Sequence, residues 1–103
     1  MILRLWRGKT VPEKADAYER FLRETAYPDY GEVEGNRGWV LARRGADDLV
    51  ELMFVSFWES MDALREYTGG DPEHPKYYPE DREALVELPD RVEHYRVVDA
   101  QLR

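Results

Sequence analysis

A chain of 103 residues, 43% hydrophobic and 36% charged, has the size and balance of one small globular domain, residues 1–103. Its 22 acids against 15 bases give a formal net charge of −7, which argues against a nucleic-acid surface, since that needs Lys and Arg to displace phosphate counterions. With no cysteine it can form neither disulfides nor thiolate sites, and no apolar run nears the roughly 20 residues that span a bilayer.

The opening residues, MILRLWRGKT, carry charges inside their apolar run and lack a small-residue cleavage site. They read as structure rather than as a signal peptide, and a cytoplasmic location is the expectation. Residues 2–7 alternate in part, as a strand does. Thr10 and Glu13 have capping-box spacing, with Pro12 in the first turn, so a helix is expected to start there. Val11, Ala15, Tyr18, Leu22 and Ala26 fall on one helical stripe, with Phe21 beside it. Pro28 is expected to end the helix near Tyr27, because the residue before a proline disfavours helix.

Residues 36–44, NRGWVLARR, read as a second strand, and GADD as a turn. LVELMFVSFW, residues 49–58, is the strongest strand signal in the chain, and the short connection makes a hairpin. Ser60 is placed to cap a short helix carrying Met61, Leu64 and Tyr67, which Gly69–Gly70 should end. A proline-rich stretch follows, DPEHPKYYPED, with Tyr77 and Tyr78 at its centre. REALVEL fits helix and strand equally, and RVEHYRVVDA reads as a last strand. The order is β-α-β-β-α-β, an α+β ferredoxin-like arrangement with an antiparallel sheet.

Two helices cover one face of such a sheet. On the third strand, however, Leu52, Phe54, Ser56 and Trp58 alternate with Glu51, Met53, Val55 and Phe57, so both faces are largely apolar. The first strand sets Leu3 and Leu5 against Ile2 and Trp6, and the second sets Trp39 and Leu41 against Val40 and Ala42. A second copy packed sheet to sheet is the simplest cover, so a homodimer is expected, with a cavity at or beside the sheet interface. The alternative cover is segment 69–90 folded over the open face.

In this order of elements, with FWES at 57–60 closing the third strand and VEHYRVV at 92–98 closing the chain, the sequence resembles the antibiotic-biosynthesis-monooxygenase (ABM)-like family of dimeric α+β barrels. The resemblance covers nearly the whole chain. It implies the fold, the homodimer and a cavity between helices and sheet in each protomer. It leaves the reaction open, because the fold hosts oxygenases, heme-degrading enzymes, isomerases, dismutases and members with no assigned activity. The heme-degrading branch carries an asparagine on the first strand, a tryptophan late in the second helix and a histidine ligand after it. Aligned on FWES without gaps, the last two positions fall on Tyr67 and Tyr77, and the first strand has no asparagine. No cofactor is therefore expected, although a gap within 68–75 would bring His74 near the ligand position.

A cofactor-independent oxygenase of this type acts on an electron-rich phenol. It needs a dry aromatic cavity, a proton acceptor and donors for the developing oxyanion. Trp6, Trp39, Phe54 and Trp58 are candidate walls, and Tyr67, Tyr77 and Tyr78 candidate donors. Arg4 and Arg37 could hold an anion, and His94 is the candidate base. The expected partner is a small aromatic molecule. An isomerase or cyclase, or a non-catalytic ligand-binding or accessory dimer, would use the same pocket. Two histidines far apart, with no cysteine, match no metal-site spacing. Neither a glycine-rich phosphate loop nor G-x-S-x-G is present.

Overall fold

The computed structural model describes residues 1–31 and 33–103, with the side chains of 26–31 outside the description. The elements are β1 (Ile2–Thr10), α1 (Pro12–Gly31), β2 (Asn36–Ala46), β3 (Leu49–Trp58), α2 (Met61–Thr68), α3 (Pro79–Ala84) and β4 (Glu93–Arg96). The four strands form one antiparallel sheet in the order β2-β3-β1-β4. This is the expected α+β ferredoxin-like order, with the short α3 added.

Local signals account for much of this. Asp47 and Asp48 make the tight turn of the β2–β3 hairpin. Ser60 Oγ accepts from the Ala63 amide at 3.1 Å, satisfying one orphan donor of α2. Gly69, at φ 80°, ends α2 in the left-handed conformation, and its amide bonds the Arg65 carbonyl.

Two expectations are corrected, and one stretch left open between helix and strand is assigned. Thr10 does not open α1: it is the last residue of β1, and its hydroxyl donates to the Ala84 carbonyl at 2.6 Å. The residue is 0% exposed, in a tertiary contact that outcompetes a cap at the protein surface. Pro28 does not end α1, which runs on to Gly31, because a single missing amide is one bond in a helix of 20 residues. REALVEL is neither one helix nor one strand: α3 ends at Ala84 and Leu85 forms an isolated bridge with Thr10. On the expected α1 stripe Ala15 and Tyr18 are buried, while Ala26 lies outside the described side chains.

Register fixes the two faces. Ile2, Arg4, Trp6 and Gly8 stand opposite Trp58, Ser56, Phe54 and Leu52, all on the helix side. Trp39 and Leu41 join them from β2, and His94, opposite Arg4, joins from β4. Two core clusters lie here, Phe54–Trp58–Leu64 and Tyr18–Leu52–Leu85, and Trp6 and Leu41 pack against both. The other face carries Leu3, Leu5, Val40, Ala42, Met53, Val55, Phe57 and Tyr95. Ion pairs Arg7–Glu93 (3.1 Å) and Arg44–Glu51 (3.0 Å) rim it. Val40 and Tyr95 are 47% and 50% exposed. Segment 69–90 does not cover this face, since Tyr77 and Asp81 bond Trp6 and Tyr18 on the helix side.

Candidate active site

A cavity of about 440 Å³ lies between the helix side of the sheet, α1, α2 and the proline-rich segment. Strand alternation brings Arg4, Trp6, Phe54 and Ser56 to its floor. Helical spacing brings Tyr18, Phe21, Leu22 and Thr25 to one wall, and Tyr67, Thr68 and Gly69 come from the end of α2. Residues 74–78 and Asp81 complete the enclosure. The prolines at 72, 75 and 79 fix φ and so lower the entropy lost in holding this segment down.

Trp6 Nε1 donates to the Tyr77 hydroxyl at 3.2 Å, and that hydroxyl donates in turn to the Pro89 carbonyl. Burial is the main reason the Tyr77 phenol is held above its ordinary pKa. Tyr78 is more exposed. Its ring meets Phe21 edge-on at 6.2 Å, and Lys76 Nζ sits 5.5 Å from its centroid. Both tyrosines thus face the cavity, Tyr77 the deeper of the two.

Asp81 is the buried acid of the wall, 5% exposed. Its Oδ1 accepts from the Tyr18 hydroxyl at 2.7 Å and its Oδ2 from the Tyr78 amide at 2.8 Å. Each oxygen keeps a lone pair. The Tyr18 phenol is pushed far up, first by burial and then by its bond to the Asp81 carboxylate, so it stays protonated as a donor.

Arg4 is half-buried. Its Nη2 donates to the Pro72 carbonyl at 3.3 Å, while its Nε is buried with no partner among the described residues. Across the ladder, Ser56 Oγ accepts from Trp58 Nε1 at 2.9 Å. His74 Nδ1 meets Asp71 Oδ2 at 2.6 Å. No group of three or more His, Cys, Asp or Glu that could hold a metal occurs among the described residues. None of the described helices is long and apolar enough to cross a membrane.

No protein-family model and no curated protein matches the chain. Solved structures do. A variant of MhuD, crystallised with two manganese protoporphyrin IX molecules bound per active site, superposes with a TM-score of 0.65 over 100% of both chains, at 16% identity. A Bacillus cereus protein named as an antibiotic biosynthesis monooxygenase matches with a TM-score of 0.64 at 15% identity, over 100% of this chain and 96% of that one. One from Chloroflexus aurantiacus gives 0.57 at 19% identity, over 98% and 97%. The fold is that of the ABM-like proteins. At these identities the likeness is one of fold, so residue roles must come from this chain's own geometry.

Within the ABM-like fold, the cavity gathers six of the residues singled out in the sequence: Arg4, Trp6, Phe54, Tyr67, Tyr77 and Tyr78. Four others are not among its lining. Trp58 is 0% exposed, its ring 5.0 Å from that of Tyr67, and belongs to the core. Trp39 packs against the same cluster from β2, one strand too far from the cavity. Arg37 is at the surface, 3.4 Å from Glu59. His94 shares the face but lies on the edge strand beyond Arg4. Its Nε2 is buried without a partner among the described residues, and its pKa is lowered by burial and then by the Arg4 charge. It is not among the residues that line the cavity.

Sequence reasoning missed Tyr18 as a site residue, and Asp81 and Ser56 as lining, while His74 entered only through a gap within 68–75. Tyr18 was legible as buried, being on the α1 stripe. Asp81, three residues after Tyr78, has the spacing of an N-terminal helix acid. Nothing local joins two residues 63 positions apart.

Proposed function

We propose that the protein is a homodimer that binds a small aromatic or polycyclic molecule in this cavity and oxygenates it without a cofactor. The cavity wall carries the reading. Trp6, Phe21, Phe54, Tyr67, Tyr77 and Tyr78 offer aromatic surface, and a few polar groups, Arg4, Ser56 and Asp81, converge on it. The apolar open sheet face supports the dimer, since a second copy would bury Leu3, Val40, Val55 and Phe57 together.

For an anthrone-type substrate the balance is one ring methylene and one dioxygen in, one ring carbonyl and one water out. A ring C–H proton passes to Asp81, whose spare lone pairs make it the acceptor on the wall. The carbanion gives an electron to dioxygen, and recombination forms a C–O bond and a peroxide. Loss of the second C–H proton with the distal oxygen as water leaves the carbonyl. The Tyr77 hydroxyl hydrogen is bonded to the Pro89 carbonyl, so it serves the developing oxyanion only by leaving that acceptor.

Oxygen uptake with anthrone tests this against a protein-free blank. The wild type should consume one dioxygen per anthrone, and Asp81→Asn should slow it by roughly 10²-fold, the usual scale of a lost general base. Uptake no faster than the blank would remove oxygenation and leave a binding, isomerase or cyclase role.

A porphyrin site is the second reading, favoured by one observation. His74 lines the cavity with Nδ1 held by a carboxylate, the arrangement that commonly presents Nε2 to a metal. His74 would hold the iron of such a group, which would supply oxygen activation. Titration with hemin decides it: a Soret shift lost in His74→Ala supports this reading, and an unchanged spectrum in both proteins rejects it.

A further inference from the structure

We infer that the ligand of this cavity carries an anionic group, a carboxylate or sulfonate on its aromatic frame, seated by Arg4 and Ser56. The inference rests on the cavity being the binding site, as proposed above, and adds which chemistry it selects. Arg7, Arg23, Arg37, Arg43, Arg44, Arg65 and Arg91 each lie within 3.4 Å of a carboxylate. Arg20, Arg82, Arg96 and Arg103 have no such partner among the described residues, but all four are exposed to water. Arg4 alone of the twelve is withdrawn from solvent without a described carboxylate.

Acids are abundant in a chain of net charge −7, so this is not scarcity. The groups around Arg4 do not compensate it either. Its ladder neighbour on β4 is His94, a second base. Glu73, the nearby acid that acts on His94, is turned outward to Arg91 at 2.7 Å. Asp81, held by Tyr18 and the Tyr78 amide, forms no ion pair with Arg4 among the described residues. What Arg4 has is one long bond to a carbonyl and a buried Nε with no acceptor. A half-desolvated guanidinium with unmet donors is costly alone and favourable once an oxyanion accepts from its fork.

Ser56 supplies the second donor. It is the direct cross-strand partner of Arg4, 1% exposed, and lines the same floor. Cross-strand side chains start about 5 Å apart. Its oxygen already accepts from Trp58, so the hydroxyl hydrogen is left to donate. Beyond this pair, Trp6 and Phe54 are the next residues along β1 and β3 on the same face and continue the floor as aromatic surface. The floor therefore reads as an anion seat at one end of an aromatic slot.

A matched pair of fluorescent probes tests this: 1-anilinonaphthalene-8-sulfonate and N-phenyl-1-naphthylamine, the same frame without the sulfonate. The wild type should bind both. Arg4→Gln should weaken the sulfonate about ten-fold or more, the scale of a charged hydrogen bond lost, and leave the neutral probe within about two-fold. Arg4→Lys should keep part of the sulfonate affinity, and Ser56→Ala should lose a few-fold of it. Arg44→Gln, on the open sheet face, should change neither. Sulfonate binding that ignores Arg4, falls equally for both probes in Arg4→Gln, or falls in Arg44→Gln overturns the inference while leaving the cavity reading standing. Failure of the wild type to bind even the neutral probe removes the cavity reading itself, and this inference with it.

Discussion

The Tyr18 hydroxyl donates to Asp81 Oδ1 at 2.7 Å and ties α1 to α3 across 63 positions of sequence. The bond holds a carboxylate at the cavity wall and keeps a phenol protonated, first through burial and then through the acid. Because the folded-state pKa is raised, Tyr18 stabilises the fold fully below its ordinary value of 10.0, and that contribution falls as pH rises above it. In alkaline titration at about 295 nm, where phenolate absorbs, one phenolate should appear only together with loss of circular dichroism. Tyr18→Phe should abolish that step and lower stability at neutral pH by about 1–3 kcal/mol, the range for a lost bond to a charged group. A wild-type titration complete before unfolding would show that the bond is not retained in solution.

His94 reports on Arg4. Its imidazole is lowered from 6.5, mainly by burial and secondly by the neighbouring guanidinium. A lowered base contributes stability above its unfolded value and loses it as pH falls through the folded one. Arg4→Met should raise the His94 pKa part of the way back, since burial remains, and flatten the loss of stability below pH 6.5. Imidazole chemical shifts followed by NMR measure the first effect and urea melts at several pH values the second. An unmoved His94 would mean that the two side chains are farther apart than their register implies.

Gly8 is where the indole of Trp6 crosses its own strand. A Cβ there would come within 2.4 Å of Trp6 Cη2 and 2.8 Å of Leu85 Cδ2. Gly8→Ala should cost about 1–3 kcal/mol in urea denaturation, the range for overpacking a core. It should also shift tryptophan emission to the red as Trp6 leaves Tyr77. An unchanged spectrum and midpoint would show that the indole has another place to go.

Val55 sits at the middle of the open sheet face, between Val40 and Leu5. Val55→Glu places a charge at the proposed dimer seam. The wild type should sediment as a dimer and the variant as a monomer, because an unpaired charge in an apolar interface is strongly disfavoured. A variant that sediments as the wild type does would exclude this face as the seam.

Legibility followed the range of the interaction. The β2–β3 hairpin, the Ser60 cap, the Gly69 stop and the two faces of β3 were readable because each depends on residues a few positions apart. Thr10 looked like a cap and became a buried link to Ala84, a contact 74 positions away that no local pattern announces. The cavity was half readable. Alternation gave the correct face for Trp39 and His94 but not how far across that face the cavity extends, and strand order decides that. Trp58 had the right face too, yet at the strand end beneath α2 it became core.

In β3, Phe54 and Ser56 floor the cavity while Met53, Val55 and Phe57 look out from the opposite face. The strand has few positions at which change is cheap. A substitution scan should therefore meet an unbroken intolerant block along residues 52–58. On β2 the same scan should tolerate Arg37 and meet resistance at Trp39 and Leu41. Ligand preference can then drift only through the surrounding helices and the proline-rich segment, whose outer surfaces carry no such double duty.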